Sequence, residues 1–412
     1  MTDRNDALNL DRQDPLAPLR AEFTLRDGLI YLDGNSLGPM QTCVADRVRR
    51  CLETEWAQDL IASWNTADWY RLPQTVGAKI APLIGAGADD VAVTDSTSVN
   101  LFKVLAAAVS MRPDRRVIVS ERSNFPTDLY IAEGLAAFAG KGHELRLIDS
   151  ADELDAAIDA DVAAVMLTHV NYRTGEVHDM ADVTRKAHAA GAVMVWDLAH
   201  SAGALSVDLA AADADFAIGC GYKYLNGGPG APAFVYVAPR LQADVTQPLS
   251  GWFGHRAPFE MKPTFEAATT IHRFLTGTPP VLSLVALDAA LDIWSRVSMD
   301  AVREKSVKLC EMFIERVEAR CGTYGLSLAS PRDASRRGSQ VCFAHPDAFP
   351  IMQALIARGV VGDFRAPDIL RFGFAPLYVR FVDVHDAVEH LREILETEVW
   401  RQDKFMVKSA VT

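Results

Sequence analysis

The sequence predicts an α/β protein whose main sheet is mostly parallel and is covered by helices on both faces. Between Asp90 and Val237, short apolar runs alternate with segments of helical character. Several of these runs, such as VAAVMLTHV and VMVW, are apolar throughout rather than at every second position. Strands that are buried on both faces have this composition, and helices between successive strands produce a parallel sheet. We therefore expect one large domain of this kind, followed by a smaller α+β domain.

Local signals predict the elements in chain order. The first 30 residues predict a helical arm, and the strand GLIYLD after it ends in the turn residues DGNS. Residues 41–60 carry apolar residues at helical spacing and predict an amphipathic helix, and residues 61–72 predict an aromatic-rich loop. Strands and helices then alternate from Asp90 onwards. Past Gln247 comes a long irregular stretch, and a loop of that length is usually functional or inter-subunit.

These changes of pattern divide the chain into three parts. Residues 1–45 form an N-terminal arm and a segment on the substrate side, and residues 46–285 form the large domain. Residues 286–412 form the small C-terminal domain. Two long predicted helices follow residue 280, and we place the boundary between the domains within them.

Composition excludes several classes of protein. The 412 residues carry a formal net charge of −13, which argues against a broad surface for nucleic acid or anionic membranes. No apolar run approaches the roughly 20 residues of a membrane span, and the charged N-terminus is not a secretory signal. The six cysteines form no CxxC pair and no metal-ligand spacing with histidine, so we expect packing thiols, no metal and a reducing cytoplasm.

Four polar residues follow two neighbouring apolar runs near the middle of the chain. One run ends in Asp197 and His200, and the next leads into Tyr222 and Lys223. Ligands in an open α/β sheet bind outside the carboxyl ends of the strands, so these residues are expected to face one crevice. A desolvated lysine is a nucleophile, and a buried aspartate needs a partner such as a pyridinium N–H or a helix N-terminus. The histidine either contacts a cofactor or is an ordinary core residue.

Other candidates lie before and after this pair of strands. Ser96, Thr97 and Ser98 begin a helix, where they suit either a phosphate or simple helix capping. Phe125 follows a strand and suits either a stacked ring or the core. Arg371 suits a substrate carboxylate or a structural salt bridge. Dinucleotide and nucleoside triphosphate fingerprints are absent. A phosphate seat, a stacking aromatic, an acid and a lysine together are what pyridoxal phosphate requires, in the order found in the aspartate-aminotransferase-like family.

Nine blocks of the sequence together resemble bacterial kynureninase, and they cover almost the whole chain in order. The blocks are YLDGNSLG (31–38), SWN (63–65), TDSTSVNLFK (94–103), SNFPTDLYIAEGL (123–135), LTHVNYRTG (167–175), WDLAHSAGA (196–204), GCGYKYLNGGPG (219–230), PLSGWFGH (248–255) and RFGFAPLY (371–378). YLDGNSLG and YKYLNGGPG are the most specific of them. The resemblance implies the fold of pyridoxal-phosphate-dependent transferases, with a seven-stranded type of sheet in the large domain.

The resemblance also implies an activity and an assembly. The expected reaction is hydrolysis of L-kynurenine to anthranilate and L-alanine in tryptophan metabolism, with pyridoxal 5′-phosphate as cofactor. 3-Hydroxykynurenine is expected to react more weakly, because Trp64 and Thr278 stand where some relatives carry histidine and asparagine. The expected assembly is a homodimer with shared active sites, which binds neither nucleic acid nor membrane.

Residue roles follow from the same resemblance. It implies that Lys223 holds the cofactor as a Schiff base, that Asp197 pairs with the pyridinium nitrogen and that Tyr222 donates a proton. The implied cofactor pocket comprises Ser96, Thr97, Phe125, Asp128, Thr168, Asp197, His200, Tyr222 and Lys223, with Trp252 and Thr278 from the second subunit. The implied substrate site comprises Arg371, Trp64, Asn35 and Tyr31.

Three other hypotheses about the function remain open on the sequence alone. A cysteine desulfurase or another pyridoxal phosphate lyase would share the fold, but a desulfurase needs a nucleophilic cysteine on a mobile loop. An aminotransferase would share the cofactor site. A non-catalytic cofactor-binding regulator would normally carry a nucleic-acid-binding module, and neither a helix-turn-helix extension nor a basic face is apparent.

Overall fold

A computed structural model describes residues 3–140 and 142–407. Its α-helices are α1 Arg4–Gln13, α2 Thr42–Arg50, α3 Ser63–Thr66, α4 Leu72–Ile80, α5 Thr97–Ser110, α6 Pro126–Ala139, α7 Leu154–Ala157, α8 Met180–Ala189, α9 Val281–Leu291, α10 Met299–Cys321, α11 Ala348–Ala357 and α12 Phe381–Thr397. Its strands are β1 Ile30–Tyr31, β2 Val91–Val93, β3 Val117–Glu121, β4 Glu144–Ile148, β5 Val162–Thr168, β6 Val193–Asp197, β7 Phe216–Cys220, β8 Ala233–Val237, β9 Ser327–Leu328, β10 Gln340–Ala344, β11 Val360–Val361, β12 Asp363–Arg365 and β13 Ile369–Gly373.

The central sheet has seven strands in the order β2-β8-β7-β6-β5-β3-β4. Strand β8 is antiparallel to both neighbours, and the other pairings are parallel. Successive side chains of each strand enter different cores: Val193 and Val195 pack in one core, whereas Met194 and Trp196 pack in the other. Apolar residues are therefore needed at every position, which explains the continuous runs. The predicted fold class is confirmed.

Parallel pairing brings the ends of β5 and β6 to one edge of the sheet. Thr168 and Asp197, the last residues of these strands, are paired in register. Cys220 ends the neighbouring strand β7, which runs in the same direction, and Tyr222 and Lys223 follow it directly. The polar residues that the sequence singled out therefore meet at the carboxyl edge of the sheet.

A second, antiparallel sheet lies in the C-terminal part of the chain, in the order β12-β13-β10-β9. Arg371 lies on its strand β13. The N-terminal arm joins this part, because β1 pairs with β11 and α1 packs on α12. The boundaries at residues 45 and 285 remain predictions. None of the described helices is long and apolar enough to cross a membrane.

Two expected elements differ in detail. The helix predicted for residues 41–60 is regular only as far as Arg50 and then widens into a π-helical turn, Cys51–Trp56. This turn carries Glu55, whose buried carboxylate binds Arg47 at 2.9 Å and Trp69 Nε1 at 3.0 Å, since a buried charge requires partners. The loop predicted for residues 61–72 contains short helical turns, including α3.

Candidate active site

A small cavity of about 190 Å³ lies at the carboxyl edge of the central sheet. Its lining residues are Thr97, Ser98, Phe125, Thr127, Asp128, Thr168, Tyr172, Asp197, Ala199, His200, Tyr222 and Lys223. The ends of β5 and β6, the loops that follow β5, β6 and β7, and the N-termini of α5 and α6 supply them. The structure thus brings together eight of the predicted cofactor residues.

Lys223 and His200 form the basic side of this small cavity. Lys223 Nζ lies 3.0 Å from His200 Nε2. Burial lowers the pKa of His200 well below its usual value, and the Lys223 charge lowers this pKa further. The imidazole is therefore neutral and accepts a hydrogen bond from the ammonium group at Nε2. Lys223 Nζ also lies 6.0 Å from the centre of the Phe125 ring and 5.9 Å from that of Tyr222.

Asp128 and Asp197 form the acidic side. Burial raises the pKa of Asp128 well above its ordinary value, and the neighbouring Asp197 carboxylate raises it further. Burial also raises the pKa of Asp197, but Lys223 and the Ala199 N–H, which donates to Oδ1 at 2.8 Å, oppose that shift. Two buried carboxylates side by side cannot both ionise. The proton therefore stays on Asp128, and Asp197 carries the negative charge.

The Thr168 hydroxyl holds the acidic pair from the end of β5. It lies between Asn124 Oδ1 and Asp128 Oδ2, at 3.4 Å from the latter. Asn124 in turn donates to Ser120 Oγ at 3.1 Å and accepts from the Phe125 N–H at 2.7 Å. This network orients the first turn of α6, which carries both the aromatic ring and the acid.

A larger cavity of about 590 Å³ adjoins the small one. It is lined by Ser96, Thr97 and Ser98 at the start of α5, by Tyr222 and by Thr278. The Ser96 side chain caps the helix by accepting from Val99 N at 3.3 Å. Free N–H groups at the start of a long helix, together with several hydroxyls, favour an anion such as phosphate. Thr278 reaches this cavity from its own chain, whereas the sequence placed it in the site of the second subunit.

Trp252 and Trp64 do not line either cavity of their own chain. Trp252 packs edge-on against Phe253 with the ring centres 4.5 Å apart, and Trp64 lies 6.2 Å from the same ring. Together with Trp69, Tyr70 and Phe259 they form an aromatic cluster.

Arg371 is buried and fully engaged in this structure rather than open to a cavity. It donates to Asp363, to Ser36 Oγ at 2.8 Å and to the Tyr172 carbonyl at 2.9 Å. The structural salt bridge that the sequence left open is thus present, on the neighbouring strand β12. Asp363 was not singled out from sequence, because only the pairing of β12 with β13 brings it opposite Arg371.

Tyr31 and Asn35 adjoin the arginine rather than the small cavity. Tyr31 donates its hydroxyl hydrogen to the Leu37 carbonyl at 2.7 Å, and its pKa is raised above the ordinary value, mainly by burial. Asn35, with its amide oriented to suit its neighbours, donates to Asp33 Oδ1 and accepts from Arg371 Nε, both at 3.2 Å. Asn35 therefore belongs to the surroundings of Arg371, and Tyr31 lies near Asp33 and Asp363.

We expect Asp33 to make the protein less stable as the pH rises from about 4 to 7. Burial, and secondarily Asp363, raises the pKa of Asp33 from 3.8 to about 7. The folded state therefore binds this proton more tightly than the unfolded state does, and stability is lost between these values. At about 1.4 kcal/mol per pKa unit the loss is at most about 4 kcal/mol. Asp33→Asn should remove it, as urea unfolding at pH 4.5 and pH 8 would show.

The exposed Asp27 offers a matched control for this experiment. Asp27→Asn should leave the difference between the two pH values as it is in the wild type. An Asp33→Asn protein whose stability falls between pH 4.5 and pH 8 as much as that of the wild type would contradict the prediction.

The donor set fits pyridoxal 5′-phosphate. The acidic pair suits a protonated ring nitrogen, Lys223 suits an aldehyde, and Phe125 offers an aromatic face. The hydroxyls of the larger cavity suit a phosphate group. A metal ion has no comparable site, because the described residues contain no cluster of three or more His, Cys, Asp or Glu able to hold one.

Several residues of the site were not singled out from the sequence. Thr127 and Tyr172 line the small cavity, and Asn124 orients α6. All lie inside the blocks that carried the family resemblance, beside residues that were named. Their polarity was visible in the sequence, but their direction was not, since it depends on the rotation of each turn.

Comparisons with known proteins find relatives that match the chain over its full length. The chain is similar to the kynureninase of Burkholderia mallei (strain SAVP1), at 56% identity over 416 residues and 100% of both chains. It is 54% identical to the kynureninase of Pseudomonas fluorescens, again over 100% of both chains. A family model described as the kynureninase C-terminal domain matches residues 302–391.

Solved structures with the same fold are more distant in sequence. Apo cysteine desulfurase from Thermococcus onnurineus NA1 has a TM-score of 0.77 and 20% identity, covering 92% of this chain and 98% of that one. The cystine C–S lyase C-DES, in complex with cysteine persulfide, has a TM-score of 0.73 and 17% identity, covering 90% and 97%. These likenesses show the shared fold.

Proposed function

The chain belongs to the kynureninase family of pyridoxal-phosphate-dependent enzymes, and from this we propose that it hydrolyses L-kynurenine to anthranilate and L-alanine. The observation that supports this most directly is the small cavity at the carboxyl edge of the sheet. There Lys223, His200 and the acidic pair lie together, beside a larger cavity with a helix N-terminus and hydroxyls.

In this proposal the chain contacts three parts of the cofactor, namely its phosphate, its ring nitrogen and one face of its ring. Ser96, Thr97, Thr278 and the phenol of Tyr222 bind the phosphate, and the Asp197 carboxylate keeps a proton on the ring nitrogen. Phe125 covers one face of the ring. Once bound, the cofactor supplies an electron sink that stabilises negative charge on the substrate carbons next to its amino group.

The remaining steps need proton transfers that side chains of the small cavity can perform. The Lys223 amine removes the proton from the α-carbon, and neutral His200 accepts a hydrogen bond from it, which keeps the amine oriented. Water adds to the ketone, the bond between the β- and γ-carbons breaks, and anthranilate leaves. The β-carbon then requires a proton. Tyr222 suits this role, because burial raises its pKa and keeps the phenol protonated.

Replacing Tyr222 by phenylalanine is expected to lower kcat for kynurenine by about 10²-fold, within the range for loss of a positioned acid. Its phenol also borders the larger cavity, so cofactor affinity must be measured separately. Saturating cofactor should restore any lost occupancy but not kcat. A variant that binds the cofactor normally and keeps full turnover would show that another group supplies the proton.

We propose that Arg371 binds the α-carboxylate of the substrate. Its guanidinium is buried beside Asp363, so a substrate carboxylate would have to compete with the Asp363 carboxylate for the same N–H groups. A planar guanidinium suits this exchange, because it can present a two-pronged donor to either carboxylate. Asn35 would stay with the arginine and keep its side chain in place, and Tyr31 lies beside the same charged group.

The aromatic cluster supports a homodimer with shared active sites. Trp252 and Phe259 are 40% and 65% exposed, and Met261 nearby is 73% exposed. Apolar surface of this kind favours burial against a second copy. In a dimer Trp252 would complete the phosphate site and Trp64 would approach the substrate. Light scattering should give twice the mass of the chain, and Phe259→Asp should shift the mass towards that of one chain.

We expect kcat/KM to be higher for kynurenine than for 3-hydroxykynurenine. An apolar Trp64 and a short Thr278 offer few polar partners to a ring hydroxyl, and a hydroxyl buried without partners is unfavourable. The measurement is steady-state kinetics with both substrates on one enzyme preparation. Trp64→His should raise the relative rate with the hydroxylated substrate, and a wild-type preference for 3-hydroxykynurenine would refute the proposal.

The reaction is tested directly by the release of fluorescent anthranilate from L-kynurenine, with L-alanine formed in equal amount. A desulfurase would instead release sulfur from cysteine, yet no cysteine lines either cavity in the described part of the chain, and five of the six thiols are buried. An aminotransferase would convert pyruvate with an amine donor. A regulator would bind cofactor without turnover.

All six described cysteines are free, which supports the proposal that the enzyme acts in the cytoplasm.

A further inference from the structure

Lys103 is a fully buried lysine on α5 that lines neither cavity. Its ammonium group donates to the Asp95 carboxylate, to the Phe274 carbonyl at 2.6 Å and to Asn100 Oδ1 at 3.4 Å. Burial lowers the pKa of Lys103, and the Asp95 charge opposes this shift. Burying an ammonium group is costly unless its partners compensate for lost water. A role for the buried Lys103 ammonium group is therefore sought in the groups that accept its hydrogen bonds.

The first partner, Asp95, lies in the wall of the larger cavity, directly before Ser96. Its backbone has φ +49°, a left-handed conformation that is sparsely populated in residues other than glycine. The Thr94 hydroxyl donates to Asp95 Oδ2 at 3.0 Å, and Ala233 N donates to the Asp95 carbonyl at 2.9 Å. A carboxylate in this wall would repel a phosphate, so the Lys103 charge also neutralises it.

The second partner, the Phe274 carbonyl, ends the turn that leads into the opposite wall. Thr278 follows four residues later and lines the same cavity. The Thr276 carbonyl, between them, accepts from Phe253 N at 3.2 Å, which ties this segment to the one that carries Trp252. One ammonium group thus bonds to Asp95, in one wall of the larger cavity, and to the turn that leads to Thr278, in another.

We propose that Lys103 is a positioning residue that fixes the spacing between residues 94–98 and residues 274–278 and so prepares the larger cavity for a phosphate group. This inference rests on the proposed cofactor site. If Lys103 had a purely structural role, replacing it would change the affinity of the protein for all its ligands equally. A lysine that sets the phosphate cavity affects only ligands that carry the phosphate.

The test compares pyridoxal 5′-phosphate with pyridoxal, which lacks the phosphate, by equilibrium dialysis against the full-length protein. In Lys103→Met the dissociation constant of pyridoxal 5′-phosphate should rise about tenfold or more, the scale on which outer contacts tune a bound group. The dissociation constant of pyridoxal should change by less than about twofold. The ratio of the pyridoxal constant to the pyridoxal 5′-phosphate constant therefore falls by about the same tenfold factor. Asp95→Asn/Lys103→Met removes both charges of the pair, so it should fold more readily. Its ratio should still be lower than that of the wild type, because the link between the two segments is lost, but by a smaller factor than in Lys103→Met, because no unpaired carboxylate faces the phosphate.

Lys305 supplies a matched control. It is buried on α10, where it binds Asp14 and the Pro376 carbonyl, both at 2.6 Å, and it lines neither cavity. Lys305→Met should keep the wild-type ratio. An unchanged ratio in the Lys103 variants, or an equal fall in Lys305→Met, would overturn the inference. A wild type that does not prefer the phosphorylated ligand would overturn the phosphate site with it, whereas an inactive enzyme with the expected ratios would refute only the proposed reaction.

Discussion

Replacing Lys223 with alanine is expected to lower kcat for kynurenine hydrolysis by more than roughly 10³-fold, within the range for loss of a positioned base, because the amine has no substitute in the small cavity. His200 is its nearest basic neighbour, but burial alone lowers the pKa of this imidazole below its usual value. Neutral His200 Nε2 lies 3.0 Å from the Lys223 amine, and the imidazole cannot take the place of that amine at an aldehyde. The protein should also lose the yellow colour of a lysine-bound cofactor.

Lys223→Arg separates charge from chemistry at this position. It keeps a cation beside Asp197 and His200, but a guanidinium is not a usable base at neutral pH. We expect this variant to be as inactive as Lys223→Ala. Added methylamine should restore part of the activity of the alanine variant and none of that of the arginine variant, whose cavity is filled. Substantial turnover by either variant without added amine would contradict the role of Lys223.

The second large effect is expected at Asp197. Asp197→Asn should lower kcat by roughly 10²- to 10⁴-fold, the range for a group that holds a proton in place, because an amide cannot balance a protonated ring nitrogen. The neighbouring Asp128 would no longer face a carboxylate, so its pKa should fall towards that of an isolated buried acid. Steady-state kinetics at saturating cofactor measures the effect on kcat alone.

Asp128→Asn is the matched control for Asp197→Asn. Both carboxyls belong to the same buried pair, but the structure puts the proton on Asp128 and the charge on Asp197. Asparagine resembles a protonated acid in shape and charge, so Asp128→Asn should cost less than about tenfold in kcat, well below the usual effect of removing a proton-transfer group. Equal losses in the two variants would show that the charge is shared or lies on Asp128.

The comparison of the proposed roles of Lys103 and Lys223 shows how differently one residue type is used. Lys223 follows a strand end and faces a cavity, where its amine meets ligands. Lys103 lies on α5 and lines neither cavity, and its ammonium group is surrounded by backbone and side-chain oxygens. The kinetic and binding experiments address the two separately, because one changes turnover and the other changes the preference for a phosphorylated ligand.

The fold class, and the position of the residues proposed to hold the cofactor, could be predicted from the amino-acid pattern alone. Continuous apolar runs between helical segments require a sheet buried on both faces, and the carboxyl ends of its parallel strands share one edge. Asp197 ends one such strand, and Lys223 lies in the loop that follows the end of the neighbouring strand at Cys220, so both were expected at this edge. Local sequence was sufficient for these residues, since their positions depend on only one strand each.

The pairing of groups from distant parts of the chain could not be predicted in this way, because it depends on how the elements pack. Strand register places Asp363 against Arg371, and the packing of α5 brings Lys103 to Phe274, 171 residues away. The proton on Asp128 depends on burial and on a neighbour 69 positions along, and the exposure of Trp252 depends on where its loop lies. Such interactions act through space, so a linear pattern does not contain them.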